Sequence, residues 1–177
     1  MTATITLKSE CLILRPIERE DIPQLFLLMS DKKIQDMVKQ PGQVYDLSWM
    51  EAYIERLFNK KENNHFTWGI VLQSTQQLIG GLSLSINMQQ HHAEIGYWIG
   101  KGYRNHGYTT EAVKTLINDS FDRYDLHRIY AYTYSYNKAS IKILEKVGMR
   151  FEGAMRDHFF LDGNYWHMLV YGSLADD

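Results

Sequence analysis

The alternation of apolar and polar positions divides the chain into strands and helices that trade places along its length. Residues 11–15 (Cys-Leu-Ile-Leu-Arg) form a short apolar run stopped at Pro16, which predicts a strand. Asp21 then reads as the cap of a helix with Pro23 in its first turn, burying Ile22, Leu25, Phe26 and Met29 at helical spacing. Ser48-Trp49-Met50-Glu51 has the form of a capping box, and Met50, Tyr53, Ile54, Leu57 and Phe58 continue a helical stripe behind it. Strands are predicted over 66–73 and 78–86, joined by the turn Ser74-Thr75-Gln76-Gln77.

The second half repeats the exchange. Residues 93–99 form a strand in which Gly96 suggests a bulge or a close backbone approach. A glycine-rich loop follows, and then a helix over about 110–123 with Ala112, Val113, Leu116, Ile117 and Phe121 inward. Residues 128–134 alternate, with Tyr130, Tyr132 and Tyr134 on one side and Ile129, Ala131 and Thr133 on the other. Asn137 reads as the cap of a helix that buries Ile143, Leu144 and Val147 and ends at Gly148. Strands near 149–155, 157–161 and 164–172 close the chain, the last two as a hairpin at Asp162-Gly163. Hairpins at both ends with two strand–helix crossovers between them predict an α/β (α+β) fold, a mixed sheet with helices on its faces.

Composition narrows the function without naming it. The 177 residues fit a single domain, 1–177, with 45% hydrophobic and 23% charged positions. Nineteen basic against 21 acidic residues leave a net charge of −2, so the electrostatic footprint of a nucleic-acid binder is missing. No apolar run approaches the roughly 18 residues of a membrane span. The start of the chain lacks a basic region followed by an apolar one, and the expectation is a soluble, cytoplasmic protein. Cys11 has no second cysteine to pair with and, inside an apolar run, reads as a reduced core thiol rather than a nucleophile. Only the loop within 98-WIGKGYRNHGYTTEA-112 carries a chemical signal of its own.

Gly102 and Gly107 have the spacing of a nucleotide P-loop, but Tyr108 stands where its lysine is required. A dinucleotide fingerprint fails too, because the third glycine comes two residues late and the loop lies past mid-chain. Two readings remain. A loop running from a strand end into a helix N-terminus offers unpaired N–H groups at the positive end of the dipole, with Lys101, Arg104 and His106 adding charge or donors; a metal-free pyrophosphate suits such a nest. Alternatively the glycines serve turn geometry alone. The spacing leaves both open.

With Arg104-Asn105-His106-Gly107-Tyr108-Thr109 in place of Q/R-x-x-G-x-G/A, the chain resembles the GNAT superfamily of acetyl-CoA-dependent N-acetyltransferases. Glu94-Ile-Gly-Tyr-Trp-Ile, Asn137-x-x-Ser140, Glu145-Lys-Val-Gly148, Leu12-Ile-Leu-Arg15-Pro16 and Asp162-Gly163-x-Tyr165 resemble its ribosomal-protein N-acetyltransferase (Rim-type) branch. The resemblance spans nearly the whole chain. It implies a GNAT-like fold with a central, mostly antiparallel sheet whose strands at 93–99 and 128–134 splay apart. It also implies direct transfer of acetyl from acetyl-CoA, a co-substrate, to a primary amine, first of all the N-terminal α-amine of a ribosomal protein or other peptide. A small amine such as a polyamine or aminoglycoside is the second acceptor class, and a non-catalytic acyl-CoA-binding module the third reading. No metal, nucleic acid or membrane partner is expected, and a homodimer is a compatible assembly.

Roles follow from the resemblance residue by residue. Arg104, Asn105, His106, Gly107, Tyr108, Thr109 and Thr110 would hold the pyrophosphate. Glu94 would be the general base, through a water, unless it pairs with a cross-strand Arg or Lys. Backbone N–H groups of Tyr97, Trp98 and Ile99 would face the carbonyl oxygen if Gly96 marks a bulge, although either ring suits a core. Asn137 would touch the cofactor and Ser140 would assist the leaving thiolate, although both also make an ordinary helix cap. Departures are plain as well: Thr109 stands where Gly or Ala is usual, Asn105 where Gly is frequent, Leu144 where a tyrosine acid is common, and His167 where Asp is frequent. Lys138 and Lys142 read as a solvated helix face, with contact to the adenosine 3′-phosphate as the alternative, His91-His92 as an exposed loop, and the three tyrosines at 130, 132 and 134 as core packing, with one of them able to reach the acceptor cleft.

Overall fold

In the computed structural model, which describes residues 5–32, 34–35, 46–58 and 64–177, one sheet organises the chain. Its strands are β1 (Leu7–Lys8), β2 (Leu12–Arg15), β3 (His65–Leu72), β4 (Leu78–Asn87), β5 (His92–Ile99), β6 (Arg128–Tyr134), β7 (Arg150–Leu161) and β8 (Asn164–Leu174). They lie in the order β1-β2-β3-β4-β5-β6-β8-β7. Every neighbouring pair is antiparallel except β5 and β6, the pair joined by a helical crossover. The expected mixed, mostly antiparallel sheet flanked by helices is what forms.

Helices α1 (Ile22–Met29), α2 (Leu47–Phe58), α3 (Tyr108–Tyr124) and α4 (Lys138–Lys146) cover the faces. On one face Ala93, Ile95, Ile129 and Ala131 pack with Ala112, Val113 and Leu116 of α3 and Leu144 of α4. On the other, Val71, Leu78 and Trp98 pack with Leu25, Leu28 and Met29 of α1, and Trp49, Tyr53 and Ile54 of α2 join them. The sheet therefore carries apolar side chains on both faces in its centre, as a crossover topology demands.

Several expectations change in detail. Phe26 is 45% exposed and Leu28 takes its place in the α1 stripe. The cap of α2 is Asp46, whose carboxylate accepts from the Trp49 N–H at 2.8 Å, and Ser48 lies inside the helix. The side chains of Met50, Leu57 and Phe58 lie outside the described residues. Cys11 is exposed rather than buried, because the strand starts at Leu12 and its alternation sends Leu12 and Leu14 inward. The Cys11 N–H instead donates to Glu111 at the start of α3. The two strands expected around 149–161 are one strand, β7, with register irregularities and a left-handed Asp157 (φ 50°). Asp162 and Gly163 both take positive φ in the hairpin that follows, the geometry of a two-residue primed turn.

Candidate active site

Strands β5 and β6 share only three rungs, His92–Arg128, Ala93–Ile129 and Glu94–Tyr130. Beyond Glu94 they separate, while β5 stays in unbroken register with β4 through Ile99. Gly96 is thus not a bulge. It pairs with Ser83 in regular register, and a Cβ there would stand 2.8 Å from the Ser83 hydroxyl oxygen, which is the close approach that excludes a side chain. The split between β5 and β6 does what a bulge was expected to do.

Which groups the split frees follows from strand alternation. The Gly100 N–H donates to the Ile79 carbonyl of β4, so even-numbered residues of β5 face β4 and odd-numbered ones face β6. The main-chain groups of Tyr97 and Ile99 therefore point into the gap. Those of Trp98 belong to the β4 ladder, and its ring is buried beneath α1. Trp98 is a core aromatic.

The loop after β5 supplies a second set of free donors. A short 3-10 turn, Lys101–Tyr103, is closed by the Tyr103 N–H to the Gly100 carbonyl. Glu111 is the next residue whose N–H finds a main-chain acceptor after Arg104, at Gly107. Among the described residues, the N–H groups of Asn105, His106, Gly107, Tyr108, Thr109 and Thr110 have no protein acceptor, so six consecutive donors sit at the positive end of the 17-residue α3. Left-handed φ values at Asn105 (65°) and Gly107 (86°) curl the loop. Asparagine is the side chain other than glycine that best accepts that conformation, which accounts for Asn105. Nothing lies within 4 Å of an ideal Cβ at Gly107, so the space over the donors is open. Thr109, at the first turn of α3, is buried.

Side chains of the loop divide between ligand and scaffold. The Arg104 guanidinium is held by Asp31, just past the end of α1, at 2.5 Å. Its sequence role as a phosphate contact thus competes with a link between loop and helix. His106 and Tyr108 stack with centroids 5.5 Å apart. Lys101, Lys138 and Lys142 are exposed.

On the α4 side of the split, Asn137 caps the helix by accepting from the Ser140 N–H at 3.2 Å. The buried Ser140 hydroxyl lies 2.8 Å from the Tyr97 phenol oxygen. Burial pushes the Tyr97 phenol up to about 12, only partly offset by its bond to Ser140, so it stays protonated at neutral pH. Leu144, where a tyrosine acid was looked for, is fully buried in the core. The sequence alternation places Thr133 only on the side of Ile129 and Ala131, opposite the tyrosines. It lies three residues past the last rung on β6, as Tyr97 does on β5, and its buried hydroxyl has no partner. A lone inward threonine carries no sequence signal that would have picked it out.

Glu94 sits at the fork of the split, on the face opposite Ser140, beside Ser85 and Tyr130. Among the described residues no Arg, Lys or His pairs with it, so the cross-strand ion pair is not formed. Half-burial raises its carboxyl above the ordinary range. Tyr130 and Tyr132 share its face in edge contact, and Tyr132 is 42% exposed, so these rings are not closed core packing. His91 approaches the Asp125 carbonyl oxygen at 2.9 Å and His92 packs on Tyr130. His167 faces Asp157 across the β7–β8 hairpin.

Comparison with known proteins adds a family to this geometry. The pattern of the acetyltransferase (GNAT) domain matches residues 12–150. The chain is 33% identical to the probable N-acetyltransferase YjcK of Bacillus subtilis, over 89% of this chain and 90% of that protein. Identity to spermidine N(1)-acetyltransferase of Vibrio cholerae is 25%, over 87% of each. The crystal structure of RimL, a ribosomal L7/L12 alpha-N-protein acetyltransferase in complex with coenzyme A, superposes with a TM-score of 0.82 at 22% identity, covering 95% of this chain and 96% of that one.

Proposed function

Because the chain belongs to the acetyltransferase (GNAT) domain family, we propose that it transfers acetyl from acetyl-CoA directly to the N-terminal α-amine of a protein or peptide, a ribosomal protein foremost. The observation that carries the acetyl-CoA assignment is the run of six unpaired N–H groups at the start of α3, beside the split between β5 and β6. Backbone donors of this kind bind a pyrophosphate without a lysine or a metal. The unpartnered Thr133 hydroxyl and the free edge of Tyr97 and Ile99 fit an extended polar chain lying in the split.

Acetyl-CoA supplies the activated thioester. The protein's part is positional. Glu94, raised and unpaired, accepts the proton of the incoming ammonium, directly or through a water. The N–H of Tyr97 donates to the carbonyl oxygen as it gains charge, and that of Ile99, two residues or about 7 Å along the strand, serves the extended chain behind it. Ser140 donates to the departing sulfur, in the place of the absent tyrosine at 144. The base and the hydroxyl stand on opposite faces of the sheet, so proton acceptance and donation are kept apart.

For the acceptor, the face that Glu94 shares with Tyr130 and Tyr132 stays open as far as Met155, 39% exposed. That favours an acceptor which continues beyond its amine, as a polypeptide does. The relationship to a spermidine N(1)-acetyltransferase favours a polyamine as the second reading. Thiol release from acetyl-CoA, measured with N-terminal peptides of ribosomal proteins and a polyamine panel, separates them. Release only with polyamines overturns the polypeptide acceptor. Tight acetyl-CoA binding with no release from any amine overturns catalysis.

A further inference from the structure

The reaction proposed above places Ser140 at the departing sulfur but leaves open what aims its hydroxyl, since a serine side chain turns freely about one bond. Its main chain is fixed: the N–H is capped by Asn137, and its carbonyl lies in the first turns of α4. The side chain is fixed separately, from another element. The Tyr97 phenol reaches across from β5 and lies 2.8 Å from Ser140 Oγ and 3.4 Å from the Ser140 carbonyl oxygen.

A phenol has one proton to give, and the shorter contact is to Oγ. When Tyr97 donates there, the serine's own proton is turned away from the phenol and stays available to a third group. We propose that Tyr97 is a positioning residue for acetyl transfer: it holds the Ser140 hydroxyl as a donor aimed at the departing sulfur, a task that the leucine at 144 cannot perform. The inference rests on the acetyltransferase reading and deepens it.

Two features make the arrangement more than a buried hydrogen bond. Tyr97 is also a residue of β5 whose main-chain N–H points into the split, because odd-numbered residues face β6 and pairing with β6 has ended at Glu94. One residue therefore sets the donor for the carbonyl oxygen through its backbone and the donor for the sulfur through its side chain. The two sites of growing negative charge are held in register by a single rigid strand. The phenol also stays protonated at and well above neutral pH, so the Ser140 orientation persists across the working range.

Tyr97→Phe keeps the ring and removes only the hydroxyl, and it is tested beside Ser140→Ala and the double variant. Thiol release with a competent acceptor is measured at saturating amine and varied acetyl-CoA, and melting temperature is followed in parallel. The expected result is a fall in kcat of about tenfold for Tyr97→Phe, with KM for acetyl-CoA within about twofold of the parent. Ser140→Ala should fall further, and adding Tyr97→Phe to it should cost nothing more in kcat, because an aim cannot be lost twice. A kcat for Tyr97→Phe equal to the parent overturns the proposal. So does a double variant whose loss is the product of the two single losses, the behaviour of a residue that merely packs. Should Tyr97→Phe melt much earlier than the parent, the assays are repeated well below its melting range, where the kcat defect must persist and must vanish in the Ser140→Ala background. Absence of thiol release in the parent protein is a separate outcome, which removes the acetyltransferase reading before Tyr97 is reached.

Discussion

A carboxylate at the fork of two strands, half-buried and without a cation, is costly to ionise, and the cost has two measurable signs at Glu94. As a base it must be ionised to work, and burial favours the protonated form. The acid limb of kcat/KM should therefore lie above the ordinary carboxylate range, and Glu94→Gln should lower the rate at neutral pH while sparing acetyl-CoA affinity. Stability runs the other way. A carboxyl raised in the folded state loses stability as pH climbs from its unfolded value through its folded one, and the loss is complete above both. Glu94→Gln should then raise the melting temperature at neutral pH and leave it unchanged well below about pH 4, where the unfolded carboxyl is protonated as well. A full rate for the glutamine variant retires Glu94 as the base, and an equal gain in stability at both pH values contradicts the burial argument. Thr133 makes a similar point with a neutral group. Its orphaned hydroxyl costs the unliganded protein about 1 kcal/mol or more, so Thr133→Val should melt higher without acetyl-CoA and bind it several-fold more weakly. Unchanged affinity by calorimetry would detach Thr133 from the site.

Elements matter here through their edges as much as through their faces. The N-terminal edge of α3 works as an anion cradle only while Asn105 and Gly107 keep the loop curled, and Gly107 at φ 86° is the position that a branched side chain accepts least. Because the space around it is empty, Gly107→Val should fold with a loss of about 1–3 kcal/mol from backbone strain. Its acetyl-CoA affinity should drop at least tenfold; calorimetry returning the parent affinity would refute the assignment of this loop. The loop was legible from residues as a strand end, glycines and a helical stripe, although its spacing left an anion nest and plain turn geometry both open. The split beside it is implied by the family resemblance and does form, but the residue pattern alone does not show it. Alternation records which face of a strand is buried: β6 alternates unbroken to its end, and β5 only changes its buried face between Ile95 and Trp98. Which edge is paired leaves no trace in that pattern, so the free N–H groups were credited to a bulge at Gly96. Phe26 was misplaced for a related reason: Ile-Pro-Gln-Leu-Phe-Leu-Leu-Met is apolar at nearly every position, and several stripes fit it equally well. Cys11 was lost at a boundary, where one residue decides between strand and turn. The partnership of Tyr97 with Ser140, 43 positions apart, was beyond any local pattern.

At the scale of the whole molecule, the unfilled donors form one account with the fold's stability. Six N–H groups over α3, the main-chain edge at Tyr97 and Ile99, and the Thr133 hydroxyl all lack protein partners among the described residues. A ligand that meets them together binds the folded state alone and so stabilises it. At about 100 times its Kd, acetyl-CoA adds about 2.7 kcal/mol, which for a chain of this size raises Tm by roughly 5 to 11 °C. The source of that shift discriminates between the two kinds of phosphate loop. A Walker loop needs its lysine and a magnesium ion, whereas backbone donors at a helix N-terminus already supply the positive potential. The shift should therefore be the same with magnesium or with excess EDTA, and should fall to about half or less in Gly107→Val, whose Kd is at least tenfold higher. Added salt should shrink it, because the pyrophosphate is held by potential as well as by hydrogen bonds. A shift that needs magnesium, or one that stays undiminished in Gly107→Val, would place the coenzyme elsewhere on the protein. Free CoA isolates the remaining contribution, since it carries the same pyrophosphate and pantetheine without the acetyl group. It should give most of the shift of acetyl-CoA, because the loop donors, the Ile99 N–H and the Thr133 hydroxyl lie along the coenzyme and only the Tyr97 N–H waits for the carbonyl oxygen.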